Sequence, residues 1–327
     1  MAIDRRQFLQ TFAAAAVVPA MTRPVHAQPY PSRPIRLILP FAAGGPGAVL
    51  AHTIAQKLPP QWAKQVIVEN IPAGGSNVGT AAVARAASDG HVLLMTTGTI
   101  VANPSLYAKV AWDPVRDFAP ISLMATSAHI LAVHPSFPAS NVSELVAFIK
   151  ANPGKLSYAS PGAGTSGQLA GELFKLKFGL DLLHVPFNGG PPAVTATMGG
   201  HTPILWAAFP TAISSVRDGK LRAIAVTSQE RFASAPDVPT MTELGFPDQE
   251  SLFPIGMLAP AGTPRHIIDL WHGEIARIVA LPDVKERLTA IGFQPVASTS
   301  EEYSAWIKAE VPRWAQVIRD AKIAKID

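Results

Sequence analysis

Ten short apolar runs recur along the chain, and between most of them the apolar positions fall at helical spacing. The runs are Ile35 to Leu39, Val66 to Val68, His91 to Met95, Ile121 to Ala125, Ile130 to Val133, Leu156 to Ala159, Leu182 to Val185, Ile204 to Trp206, Ala223 to Val226 and Ile255 to Leu258. Each has the length of a buried strand rather than of a helix. Leu50, Ile54 and Leu58 recur at i+4, Asn141 with Glu144 reads as a cap before Leu145, Phe148 and Ile149, Thr263-Pro264 opens another helix, and Thr299 with Glu302 a further one. Strands alternating with helices predict an α/β protein with parallel or mixed sheets covered on both faces.

Residues 253–327 read as mostly helical, marked by Trp306, Val311, Trp314 and Ile318, with at most one strand of their own. A strand-poor tail suits a return to a domain already begun. The expected organisation is therefore residues 28–126 plus 253–327 in one lobe and 127–252 in the other.

The first 27 residues stand apart. A basic start, a modest apolar run from Thr11 to Met21 and the small-residue site Val25-His26-Ala27 read as an export signal cleaved near Ala27. Arg5-Arg6 followed by Phe8-Leu9 is the pattern of a twin-arginine signal, with Asp4 and Gln10 departing from its usual flanks. The run is far shorter than the roughly 18 to 20 apolar residues that a membrane span needs. Removing Arg5, Arg6, Arg23 and Asp4 with the signal lowers the formal charge from +4 to +2, so the exported chain has no bias towards nucleic acid. The absence of cysteine excludes disulfides, thiolate metal sites, a cysteine nucleophile and a lipid-modified N-terminal cysteine.

Four glycine-rich stretches follow directly after predicted strands: "PFAAGGPGAVLA" (40–51), "IPAGGSNVGT" (71–80), "SPGAGTSGQLAG" (160–171) and "VPFNGGPPAVTATMGG" (185–200). The crevice beyond the C-terminal ends of such strands is where open α/β sheets bind ligands. None of the four has the Lys-Ser/Thr ending of a phosphate loop, and Gly45-Pro46-Gly47 lacks the third glycine of a dinucleotide fingerprint. Gly164-Thr165-Ser166-Gly167-Gln168 and Gly74-Gly75-Ser76-Asn77-Val78 both miss the final glycine of a hydrolase elbow. The nine histidines include no metal-binding motif. His184, at the end of its strand, is the one placed near the cleft, either touching ligand or making a structural hydrogen bond. No Asp, Glu, Lys or Arg occurs in any of the four stretches. Such a neutral wall holds an anion through helix N-terminal amides and hydroxyls such as Ser76, Ser160, Thr165 and Ser166, without acid-base chemistry.

The strings "YPSRPIRLILPFAAGGP", "VENIPAGGSNVGT", "SDGHVLLM", "WDPVRDFAPIS", "NPGKLSYASPGAGTS", "HVPFNGG", "GKLRAIAVTS", "PDVPTMTELGFP" and "LAPAGTP" occur in that order from Tyr30 onward. In them the chain resembles the periplasmic substrate-binding receptors of tripartite tricarboxylate transporters, the Bug family. The resemblance implies a two-lobed, hinged α/β clamp of the periplasmic-binding-protein (Venus flytrap, type II-like) kind, acting as a monomer. It implies a small organic carboxylate as ligand, integral-membrane permease subunits as partners, a periplasmic location, and neither catalysis, cofactor nor metal. Carried over by position, Phe41, Ala42, Ala43, Gly44, Gly45 and Pro46 with Ala73, Gly74, Gly75, Ser76 and Asn77 cradle the carboxylate from one lobe, beside Thr96, Thr97 and Gly98. Ser160, Gly164, Thr165 and Ser166, with His184, Phe187, Asn188 and Ala207, close from the other.

Departures from the family pattern sharpen the expectation. Ala48 and His52 replace the common Asp and Arg of the first loop, Phe187 and Asn188 stand where "HVPYkG" is common, and Ala207 and Ala208 stand where the second lobe often has an acid. The expected ligand therefore lacks an ammonium group and has an apolar or aromatic body flanked by Trp206, Phe209 and Phe187. The rival readings are an extracytoplasmic sensor subunit with a signalling partner and, less favoured, an exported hydrolase.

Overall fold

In a computed structural model that describes residues 30–63 and 65–327, every predicted apolar run forms or enters a strand. The elements follow in the order β1 (Ile35–Leu39), α1 (Pro46–Lys57), α2 (Pro60–Ala63), β2 (Val66–Asn70), α3 (Asn77–Ala84), β3 (Val92–Thr96), α4 (Thr99–Leu106), β4 (Phe118–Val133), α5 (Val142–Ala151), β5 (Ser157–Ser160), α6 (Ser166–Phe178), β6 (Leu183–Pro186), α7 (Gly190–Met198), β7 (Ile204–Ala208), α8 (Phe209–Arg217), β8 (Arg222–Val226), β9 (Leu252–Pro260), α9 (Arg265–Val279), α10 (Pro282–Ala290), β10 (Gln294–Pro295) and α11 (Ser300–Asp320). The export signal read over residues 1–27 lies outside the described residues.

The local signals act as their chemistry requires. Asn141 accepts the backbone N–H of Glu144 at the start of α5, and Thr299 with Glu302 closes a capping box on α11. The runs Ile121 to Ala125 and Ile130 to Val133 are parts of one 16-residue strand, β4. The polar residues between them do not break it, because Thr126 is buried and Ser127 and His129 are buried with partners: Ser127 Oγ donates to the carbonyl of Gly292 at 2.6 Å, and His129 lies in a hydrogen-bonded cluster.

Strand order is β2-β1-β3-β9-β4-β7-β5-β6, with β8 and β10 also pairing with β4. β1 runs parallel to β2 and β3, and β5 parallel to β6 and β7, whereas β9 and β4 run antiparallel to their neighbours. β4 joins two lobes. Its stretch Phe118 to Ala128 pairs with β9, and from His129 to Val133 it pairs with β7 and, from Ile130, with β8.

Period-two alternation then sorts the second stretch of β4 between two cores. Leu131 and Val133 enter a cluster with Tyr158, Phe174 and Trp206, while Ala128, Ile130 and Ala132 face one with Phe209, Val226 and Phe232. A third core joins β1, β3 and β9 to α4 and α11, and it also takes Leu169 from α6. Arg33–Asp327 pack as one unit, since β4 is common to both lobes and α6 reaches the first lobe's core.

Candidate functional site

The loops after β1, β2, β3, β5, β6 and β7 converge on a cavity of about 870 Å³. Six helices begin at its wall: α1 with Gly45, Pro46 and Gly47, α3 with Ser76, α4 with Thr99, α6 with Thr165, Ser166 and Gly167, α7 with Gly189 to Pro192, and α8 with Ala208 and Thr211. First-turn N–H groups have no partner within their own helix. Their partial positive charge attracts an anion by about 0.3 to 1 kcal/mol per helix. No Asp, Glu, Lys or Arg lines the cavity, so these dipoles are opposed by no acidic side chain of the wall.

The loops are held from behind. Asn70 Nδ2 donates to the Phe41 carbonyl at 2.9 Å, and the fully buried Asn103 donates to the Gly75 carbonyl at 2.8 Å and to Asn77 Oδ1 at 3.0 Å. Gly75 has φ +57, and a Cβ there would overlap the Tyr107 hydroxyl. Ser76 holds a left-handed backbone (φ +80) at the cavity wall, a conformation that a non-glycine residue adopts at a cost. In the second lobe the Thr165 hydroxyl donates to the Gly162 carbonyl at 2.7 Å, and Gln168 Oε1 accepts the Gly164 N–H at 2.7 Å. Backbone bonds from Phe187 to Ser160 (3.0 Å) and from Gly189 to Pro161 (2.8 Å) tie the two loops of that lobe together.

Of the residues predicted from sequence, Phe41, Ala42, Ala43, Gly45, Pro46, Gly75, Ser76, Thr97, Thr165, Ser166, Phe187 and Asn188 line this cavity. Eight do not. Gly44 lines a separate cavity of about 240 Å³ with Ala43, Ala48, His52 and Arg287. Gly74 sits in the turn before α3, Asn77 is taken up by Asn103, and Gly98 meets Ser166, where a Cβ would come within 3.3 Å. Gly164 faces Leu106 and Asn103 of α4. Ser160 and His184 bond each other at 2.6 Å, behind the loop. Burial drives the His184 pKa down to about 4, and with Ser160 accepting the Gly162 N–H at 3.2 Å the pair shapes the loop from outside the cavity. Ala207 is fully buried in β7, and it is its neighbour Ala208 that reaches the wall, because successive strand residues point to opposite faces.

Two expectations about the flanks change. Trp206 and Phe209 are core residues, 1% and 0% exposed, and the aromatic rings at the cavity are Phe41, Tyr107, Phe187 and Phe253. Ala48 turns towards the smaller cavity, so its neutrality does not shape the larger one.

Sequence reading missed Thr99, Tyr107, His129, Thr211 and Phe253. His129 carried a signal: it is the one titratable residue in the run from Ile121 to Val133. Tyr107, at the far end of α4, carried none. Among the described residues no three His, Asp or Glu side chains come together to hold a metal ion.

The family model described as tripartite tricarboxylate transporter family receptor matches residues 50–323. The chain belongs to this receptor family. It is 33% identical over 299 residues to Protein BugT of Bordetella pertussis, covering 91% of this chain and 92% of that one. Two solved structures from Rhodopseudomonas palustris share its fold. Rpa4515 with adipate superposes with a TM-score of 0.86 at 28% identity, covering 91% of this chain and all of that one. MatC with bound malate gives 0.81 at 29% identity, over 88% of this chain and all of that one. The family consists of periplasmic solute-binding receptors. Membership makes this receptor a binding protein rather than an enzyme, with the two-lobed α/β architecture of its relatives.

Proposed function

We propose that this receptor reversibly binds a small organic carboxylate in the 870 Å³ cavity and delivers it to the integral-membrane permease subunits of a tripartite tricarboxylate-type transporter. The observation that carries the reading is the meeting of six helix N-termini at a wall with no Asp, Glu, Lys or Arg side chain. A carboxylate gains from these dipoles and from nearby hydroxyls, whereas an ammonium group would lose its water and meet no counter-charge. Relatives with bound adipate and malate support the same class of ligand.

The ligand cradle is assigned to Phe41, Ala42, Ala43, Gly45, Pro46, Gly75, Ser76 and Thr97 on one side and Thr165, Ser166, Phe187 and Asn188 on the other. Phe41, Tyr107, Phe187 and Phe253 give it room for an apolar or aromatic body. Residues 28–126 with 253–327 and residues 127–252 are taken as the two lobes, hinged where β4 and β9 pass between them and closed by a ligand that touches both. Residues 1–27 are taken as the export signal, and the mature chain as a monomer.

A thermal-shift screen followed by calorimetry tests the reading with dicarboxylates, tricarboxylates, aromatic acids, their amides and amino acids. A ligand that binds only the folded state at 100 times its Kd adds about 2.7 kcal/mol of stability. Acids should shift the midpoint and amides should not. Tight binding of amino acids, or amides matching their acids, overturns the reading.

A further inference from the structure

α4 ends on a weakened turn. Pro104 has no N–H to give to the Ile100 carbonyl, so the last turn lacks one of its own bonds. Tyr107, its C-cap, donates to the Asn103 carbonyl at 3.0 Å and leaves the helix with extended backbone. A tie from beyond α11 holds this turn instead. Lys322, with a left-handed backbone (φ +51), turns the chain after α11, and the residues that follow reach the end of α4. The Ile326 N–H donates to the Leu106 carbonyl at 3.0 Å, and the Ile326 carbonyl accepts the Ala108 N–H at 2.8 Å, so two bonds straddle Tyr107. One of them satisfies a carbonyl that the helix end leaves without an intrahelical partner. Ile323 and Ile326 pack, as Tyr107 does, against the core that holds Leu106, Trp314 and Ile318.

Tyr107 carries this tie to the ligand cavity, whose wall it lines. Its ring lies against one glycine from each lobe: a Cβ at Gly75 would overlap the hydroxyl, and one at Gly164 would come within 3.5 Å of Cε2. Neither glycine presents a side chain, so the ring occupies the seam where the 71–76 loop of the first lobe meets the 161–165 loop of the second. Burial raises the pKa of the phenol, which therefore stays uncharged beside a bound anion. Ile326 itself lines no part of the cavity.

We infer that Ile326 is a positioning residue for ligand binding: by pinning the backbone on both sides of Tyr107 it presets the ring on which the two lobes close, so that the segment after α11 sets ligand affinity from outside the cavity. With the tie broken, the last turn of α4 frays and the ring is ordered only when ligand arrives. The cost of that ordering then comes out of the binding free energy, whereas the intact tie meets it during folding. The inference rests on the cavity being a carboxylate site.

The test is a double-mutant cycle in the intact chain, read by calorimetry with adipate, malate, citrate and 3-phenylpropionate. Ile326→Pro removes the N–H that Leu106 accepts, and it should weaken binding of each acid that binds the wild-type receptor about fivefold or more. In a Tyr107→Leu background, where the ring is gone, the same substitution should change affinity by less than about twofold. A general loosening of the lobe would instead weaken binding equally in both backgrounds. Ile326→Ala, which keeps both backbone bonds and thins the packing, gives the same cycle if Ile326→Pro does not fold. Without ligand, ¹⁹F spectra of 3-fluorotyrosine-labelled protein should show the Tyr107 signal, assigned by its loss in Tyr107→Phe, moved or broadened by Ile326→Pro, while that of Tyr158 in the second lobe's core stays in place. Unchanged affinity in Ile326→Pro, equal losses in both backgrounds, or an unmoved Tyr107 signal overturns the inference and leaves the carboxylate reading standing. Failure of every acid to bind the wild-type protein overturns both.

Discussion

Placing a carboxylate on the cavity wall should invert the receptor's charge preference, and Ala208 is the position for it. Ala208 lines the cavity and is also the N-cap of α8, with extended backbone and no side-chain cap. Ala208→Asp adds a favoured capping residue that can accept the N–H of Thr211, since Pro210 at the preceding position has none, so the fold should tolerate it. A cavity of 870 Å³ has the volume of a sphere about 6 Å in radius, which sets the separation between a wall carboxylate and a centred ligand charge. The repulsion is then about 0.7 kcal/mol with water-like screening and about 2.8 kcal/mol at an effective dielectric constant of 20. Carboxylate affinity should fall by between about 3-fold and about 100-fold, towards the upper figure in a site walled by protein. Ala208→Asn, of the same size and also a cap, should leave it within about threefold. Isothermal calorimetry at neutral pH, with a carboxylate and an amine of matched size, reads both directions, because the amine should gain where the acid loses. If Ala208→Asp and Ala208→Asn lose the same affinity, steric filling explains the result and the electrostatic argument is refuted.

Two other outcomes follow from the same structure. His129 and His184 are held neutral by burial with pKa values near 4, while the unfolded chain titrates them near 6.5. Between those values the unfolded state binds more protons, so stability is complete above pH 6.5 and falls as the pH drops towards 4. The thermal midpoint should decline through that window, less steeply in His184→Gln; a midpoint independent of pH from 7 to 4.5 would contradict the assignment. Gly164 has φ +79, and a methyl group there would lie 2.6 Å from Leu106 Cδ2 and 3.1 Å from Asn103 Oδ1. Gly164→Ala should cost about 1 to 2 kcal/mol of backbone strain and push the 161–165 loop away from α4, weakening ligand binding about tenfold or more. Unchanged affinity would show that this contact does not hold the lobes together on the ligand.

What the chain reveals before folding is what short spacings encode. Apolar runs mark the strands, Asn141 with Glu144 and Thr299 with Glu302 mark helix starts, and glycines free of charged neighbours mark the loops. Each depends on groups a few residues apart, so the backbone geometry near them is already implied. Continuity of β4 was not legible, because hydropathy dips at Thr126, Ser127 and His129, and the hydrogen-bond partners of Ser127 and His129 lie far along the chain. Nor was the side of each wall position. Ala207 and Ala208 are alike as letters, and only strand pairing decides which one reaches the cavity. The hinge corner shows the limit most clearly: His129, Ser166 and Ser251 are separated by 37 and 122 positions and meet only because β4, α6 and the entry to β9 converge. Local sequence supplied a neutral, donor-rich wall. Tertiary packing decided which hydroxyls on it line the cavity and which are taken up by partners behind it, because residues distant in sequence meet only in the fold.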